Sequence, residues 1–280
     1  MSIKILTDST SDISKELAKE LDVTLVPLRV IFENEDYLDG VDITIDQFYE
    51  RLVKAKVLPT TSQPTPEQFL PYYEAARDNN DTLIVITISS KLSGTYQSAQ
   101  IAKDIVDYTG IHIIDSETVT LGLQLLVREA LALRNRGLSG DDIAKELEAV
   151  KKNIRLLALV ESLEYLKKGG RLSSVSAFAG GLLNIKPIIE VKDGLVGVAG
   201  KARGLTGAYK KLAELITSNE IDLNREVCIG YSAGKDTMNG FLDHSKNDLG
   251  IQDFIESPIG SVVGTHAGPG ACGIAFFTKN

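Results

Sequence analysis

The sequence is short of positive charge, of cysteine and of long apolar runs, and each shortage excludes a class of protein. Its 30 Lys and Arg are outnumbered by 38 Asp and Glu, which leaves a net charge of −8 and a pI of about 5.1. A general nucleic-acid binder carries a basic face and a pI above about 9, so no nucleic-acid partner is expected. The only two cysteines, Cys228 and Cys272, suit a reduced cytosolic protein better than a disulfide framework. No stretch approaches the roughly 18 apolar residues of a membrane-spanning helix. The opening MSIKILTDSTSD has too short an apolar stretch for a secretory signal, and Asp8 and Asp12 follow at once. A cytoplasmic location is therefore expected. His112, His244 and His266 have no metal-ligand spacing, and no G-x-x-x-x-G-K-[ST] loop is present to hold nucleotide phosphates. No metal and no cofactor are expected.

What is there is ordinary for a folded protein: 280 residues, 43% hydrophobic and 24% charged. That length is enough to bury a core, and at about 150 residues per domain it suggests two domains. In the first half the patterns alternate. Strands are expected at 2–7, 82–88 and 111–115, and helices at 12–21, 46–57, 67–78, 95–106, 120–136 and 139–152. VTLVPLRVIF reads as strand with an edge or bend at Pro27, and 59–66 as a polar loop. Such alternation predicts βαβ units and a parallel sheet. The second half differs. It reads as a strand at 156–162, an apolar glycine-punctuated stretch, a hairpin turned at 192–194, a helix at 205–218, a strand at 226–231 and a helix at 236–247. The terminal VVGTHAGPGACGIAFF reads as two strands joined by a loop. The expected fold is α/β with two domains: an N-terminal parallel-sheet α/β domain, 1–154, and a C-terminal mixed α/β domain, 155–280.

Several short motifs match known chemistry. GYSAG at 230–234 fits the nucleophile elbow G-x-S-x-G, and Ser232, Asp236 or Asp243, and His266 follow in the order of an esterase triad. No HGGG-type oxyanion motif precedes it, so a serine esterase using Ser232 stands as one alternative function, beside a binder of another anionic lipid. GPGACG at 268–273 spells G-x-G-x-x-G, but a strand pattern follows it where a dinucleotide fingerprint needs a helix. TDSTSD at 7–12 reads as a strand end leading into a helix N-cap, in preference to a cation site.

Two hydroxyl-rich loops say more: PTTSQPTP with Thr60, Thr61, Ser62 and Thr65, and SSKLSGT with Ser89, Ser90, Ser93 and Thr95. The second lies between a buried strand and a helix, where backbone N–H groups and hydroxyls favour an anion such as a carboxylate. SAFAGGLLNIKPII, with Phe178, Leu182, Leu183, Ile185, Ile188 and Ile189, offers an apolar neighbour for an amphipathic ligand.

Together TDSTSD, YLDGVDIT, TTSQPTP, SSKLSGTYQSA, DSETVTLG, LEYLKKGGRL and GTHAGPGA resemble the DegV family, in its order and nearly end to end. The resemblance implies one long-chain fatty acid held in the cleft between two domains. By motif it assigns Thr61 and Ser62, Ser93 and Gly94, and His266 to ligand binding, with Thr61, Ser93 and His266 for the carboxylate and Arg171 near the mouth. It implies a lipid-binding protein with no catalytic residue of its own, the substrate-presenting subunit of a bacterial fatty acid kinase. An ATP-binding kinase subunit would then be the partner, phospholipid synthesis would take the product, and a transient membrane contact is expected. The basic stretch KARGLTGAYKK offers Lys201 and Arg203 for docking, but Gly207 stands where kinase-partnered members have a lysine.

Overall fold

The computed structural model describes residues 2–173 and 184–279. The first part runs β1 (Ile3–Asp8), α1 (Lys15–Leu21), β2 (Val23–Val26), β3 (Arg29–Phe32), β4 (Glu35–Leu38), α2 (Ile45–Lys54), β5 (Thr60–Ser62), α3 (Leu70–Asp78), β6 (Thr82–Thr87), α4 (Thr95–Val106), β7 (Ile111–Asp115), α5 (Leu121–Asn135) and α6 (Gly140–Val150). The second part runs β8 (Ile154–Leu159), α7 (Glu164–Lys168), β9 (Ile185–Lys192), β10 (Leu195–Arg203), α8 (Gly204–Ser218), β11 (Cys228–Tyr231), α9 (Asp236–Leu249), β12 (Ile255–Pro258), α10 (Ser261–Ala267) and β13 (Cys272–Phe277).

Two sheets carry the architecture. The first, in the order β2-β1-β6-β7, is wholly parallel. The second, β10-β9-β8-β13-β11-β12, is antiparallel except for the β11–β12 pair. Strand alternation shows how they stack. On β6, Leu83 and Val85 pack with Phe69, Tyr73, Ala99 and Ala102 of the α3–α4 side. Ile84 and Ile86 pack in the other direction, into the core that holds α5. On β8, Leu157 and Leu159 join the core under α8 and α9, while Leu156 joins α5. Helix α5 thus lies between the sheets, and its sequence shows it: Leu123, Leu125, Leu126 and Val127 are all fully buried, as expected of a helix apolar all round. None of the described helices is long and apolar enough to cross a membrane.

A third, small antiparallel sheet, β4-β3-β5, was not expected. Pro27 divides VTLVPLRVIF, and the two pieces join different sheets: β2 pairs with β1, and β3 pairs with β4 and β5. The 59–66 segment is likewise not all loop, because Thr61 pairs with Val30 and Ser62 with Arg29. The largest correction lies near the C-terminus. Residues 261–267, expected as strand, form α10. The β-branched residues of SVVGTHA favour strand in isolation, but tertiary packing overrides them. Val262 joins Phe48, Tyr49 and Leu52 of α2 in one buried cluster. Gly264 sits so close to α2 that a Cβ would lie 2.5 Å from the Tyr49 hydroxyl and 2.8 Å from the Phe48 ring.

Candidate functional site

A cavity of about 350 Å³ opens between the two sheets, and all six residues assigned to ligand binding by motif line it: Thr61, Ser62, Ser93, Gly94, Arg171 and His266. They come from four elements. β5 supplies Thr61 and Ser62, the β6–α4 loop supplies Ser93 and Gly94, the segment after α7 supplies Arg171, and α10 supplies His266.

The polar groups form a linked set. His266 Nε2 lies 2.9 Å from Thr61 Oγ1. The opposite ring nitrogen, Nδ1, is buried without a hydrogen-bond partner among the described residues, and it packs on Gly169, where a Cβ would lie 2.2 Å from it. Arg171 donates through Nη1 to the Gly169 carbonyl at 2.7 Å and through Nε to the Leu92 carbonyl at 3.3 Å. Next to Leu92, Ser93 Oγ pairs with Thr95 Oγ1 at 2.9 Å. A buried N–H left unpaired is rarer than an acceptor left bare, so this arrangement favours the proton on Nε2. His266 then donates to Thr61, and the Thr61 hydroxyl hydrogen remains for an acceptor in the cavity.

Burial, with the Arg171 guanidinium second, holds the His266 pKa down to about 4. His266 is therefore neutral at pH 7, and Arg171 is the fixed positive charge of the site. The sign of the stability effect follows. An unfolded histidine binds a proton near its ordinary 6.5 and the folded one only near 4, so stability is lost as pH falls through that window, by up to about 3 kcal/mol. Burial raises the Asp8 pKa to about 6, which acts in the opposite direction below pH 6. The prediction is therefore a difference. In His266→Gln, urea melts at pH 7 and pH 4.5 are expected to show less acid loss than in the parent, and equal losses would contradict it.

The N-terminus of the twelve-residue α4 reaches the cavity at Gly94, which brings no capping side chain of its own, leaving first-turn N–H groups and the positive helix end beside these polar side chains. The Gln63 amide packs directly on Gly94, where a Cβ would lie 2.0 Å from Gln63 Oε1 and would displace that side chain. Gln63 lines the cavity and donates to Ser98 Oγ on α4 at 3.1 Å, tying β5 to that helix. Neither Gln63 nor Gly169 was singled out from the sequence. Gln63 stands inside the TSQP segment that pointed to Thr61, while Gly169 acts only by lacking a side chain.

Beyond these polar groups the wall is mostly apolar, with Thr120 and Glu190 as exceptions. Leu156 and Ala158 from β8, Ile189 and Val191 from β9, Leu121 from α5 and Val262 from α10 face the same space. Of the apolar stretch expected here, Ile189 lines the cavity and Ile188 packs in the core under α8. Ile185 begins β9, and Phe178, Leu182 and Leu183 lie outside the described residues.

The structure does not assemble Ser232 into a triad. Its fully buried hydroxyl donates to the Gly268 carbonyl at 2.7 Å and accepts from the Ala271 N–H at 2.8 Å. His266 is engaged with Thr61, and Asp236 and Asp243 are exposed on α9. The hydroxyl braces the loop that GPGACG forms between α10 and β13. Asp8 caps the 3-10 turn after β1 through the Thr10 N–H at 3.0 Å and also accepts from the Ile88 N–H at 2.7 Å. Among the described residues no group of His, Cys, Asp and Glu could hold a metal ion. Lys201 and Arg203 lie exposed on β10, apart from the cavity lining.

The family model described as "Uncharacterised protein, DegV family" matches residues 2–279. A DegV domain-containing protein from Caldanaerobacter subterraneus subsp. tengcongensis is 38% identical over 278 residues, 99% of each chain. Among solved structures, a fatty-acid-binding DegV family protein from Thermus thermophilus superposes with a TM-score of 0.89 at 31% identity, covering 100% of both chains. A stearic-acid-binding protein from Eubacterium ventriosum gives 0.86 at 34% identity, covering 100% of this chain and 99% of that one.

Proposed function

The chain belongs to the DegV family, and from that membership and its cavity we propose that it binds one long-chain fatty acid between two domains that meet near residues 154 and 155. The observation that carries this reading is a cavity that brings hydroxyls, a neutral histidine and an arginine together with a lining that is otherwise mostly aliphatic, Thr120 and Glu190 being exceptions. Each methylene removed from water contributes about 0.8 kcal/mol, so a long acyl chain gains on the order of 10 kcal/mol before ordering costs. The carboxylate gives up its hydration, and the Thr61 and Ser93 hydroxyls, the α4 N-terminus and the Arg171 charge replace it. Fatty acids from C14 to C20 are expected to raise the melting temperature, and the matching methyl esters, which carry no charge, to raise it far less. Equal shifts for acid and ester would contradict the carboxylate site.

The same reading makes the protein a carrier with no catalytic residue of its own, presenting the carboxylate to a separate ATP-dependent fatty acid kinase subunit. Lys201 and Arg203, exposed on β10 ahead of α8, support a docking surface for that partner. Reversing both to Glu is expected to cut acyl phosphate formation with a cognate kinase while leaving fatty-acid affinity unchanged. Undiminished acyl phosphate formation would remove these two residues from docking.

A further inference from the structure

Helix α10 has only seven residues, and its N-cap, Gly260, offers no side chain to its first turn. Helices this short are marginal by themselves, so its position depends on what holds its ends. At the C-terminal end, His266 is held by Thr61. At the N-terminal end, every backbone group from Ile259 to Ser261 that needs a partner outside the helix finds one in the first half of the chain, except the Ile259 N–H, which bonds Tyr231 O at 2.8 Å. The Tyr49 hydroxyl donates to the Ile259 carbonyl at 3.1 Å. The Gly260 N–H donates to Asp12 Oδ1 at 3.0 Å. The Ser261 N–H donates to Asp39 Oδ1 at 3.1 Å, and the Ser261 hydroxyl donates to the same oxygen. Asp12 is itself fixed, accepting from Thr120 Oγ1 through its other oxygen at 2.5 Å. The fit leaves no slack, since a Cβ on Gly260 would lie 2.7 Å from Asp12 Oδ1.

We propose that Asp39, supported by Asp12, is a positioning residue for the ligand carboxylate: it grips the first turn of α10 from the opposite half of the molecule and so sets where His266 stands. His266 lies five positions after Ser261, about 7.5 Å along the helix. A rigid segment of that length carries a displacement at one end to the other. The reach of the two carboxylates into the second half of the chain gives them this role. Asp39 is 6% exposed and is not among the cavity-lining residues, so it acts through α10 and not on the ligand.

This inference rests on the fatty-acid reading for its affinity test but not for its spectroscopic one. Palmitate affinity measured in a double-mutant cycle separates positioning from general destabilisation. Asp39→Ala is expected to weaken binding about tenfold in the parent and less than about twofold in a His266→Ala background, because the helix then has no imidazole to misplace. Asp39→Asn keeps an acceptor oxygen and is expected to restore binding to within about threefold. An equal loss in both backgrounds, or no loss in the parent, overturns the proposal. If Asp39→Ala does not fold, Ser261→Ala, which removes the hydroxyl donor and leaves the carboxylate, takes its place in the cycle. The ligand-free protein supplies the second readout: the ¹H–¹⁵N imidazole signals of His266 are expected to lose the pattern of a Thr61-bonded Nε2–H when Asp39 is changed to Ala. Unchanged signals also overturn the proposal. A parent protein that binds no palmitate would count against the proposed function and leave the spectrum to decide this inference.

Discussion

Ala158→Phe is expected to abolish long-chain fatty-acid binding while leaving the protein about as stable as the parent. Ala158 lies in the middle of β8, paired with Gly273 on β13 and Ile189 on β9, and its methyl lines the apolar wall of the cavity. A benzyl group there projects into the space assigned to the acyl chain. In the ligand-free protein the ring buries apolar surface worth about 1.5–3 kcal/mol, against an overpacking cost of about 1–3 kcal/mol, and the two nearly cancel. Palmitate and stearate lose the room for several methylenes, and at about 0.8 kcal/mol each the loss reaches roughly a hundredfold or more. Shorter acids are expected to lose less. Calorimetric titration with a chain-length series checks both parts. Undiminished stearate binding would mean that the acyl chain lies elsewhere.

Gly169→Ala is expected to weaken fatty-acid binding by about ten- to a hundredfold, through the head group alone. The Gly169 backbone, at φ −74° and ψ −9°, is ordinary right-handed helical geometry that alanine adopts freely. The effect is therefore contact and not backbone strain. The new methyl carbon would stand 2.2 Å from His266 Nδ1 and 2.9 Å from Cε1, so the imidazole must leave its bond to Thr61. Fatty alcohols of the same length, which make no charged contact, are expected to lose much less. An equal loss for acid and alcohol would show that the substitution acts on the acyl chain or on the fold, and that the Thr61–His266 pair does not hold the carboxylate.

The parts of the fold that could be read from the sequence are those whose cause is local. The four central residues of TLIVIT, Leu83 to Ile86, are apolar without alternation because both faces of β6 are covered, and a parallel sheet follows from it. The hairpin at 192–194 needed only its own turn residues, and Asp193 and Gly194 both adopt positive φ. The third sheet was illegible because β5 is three polar residues whose strand character comes from pairing with β3. α10 was illegible because its composition argues for strand, and the contacts that make it a helix come from residues more than 200 positions away. The site divides in the same way. Thr61, Ser93 and His266 carry hydroxyls or an imidazole in marked loops, so chemistry flags them. Gly94 was reached only through its motif, and Gly169 matters because a side chain there would collide with His266, a close approach that leaves no chemical signature in a sequence.

The central claim is that this cavity holds one fatty acid by its carboxylate and its chain. The most direct measurement is native mass spectrometry of the purified protein, with denaturing analysis of the lipid extracted from it. The account predicts one fatty acid per chain, and none in Ala158→Phe purified in parallel. A parent protein that stays empty, and that shows no thermal shift with acids from C14 to C20, would contradict it.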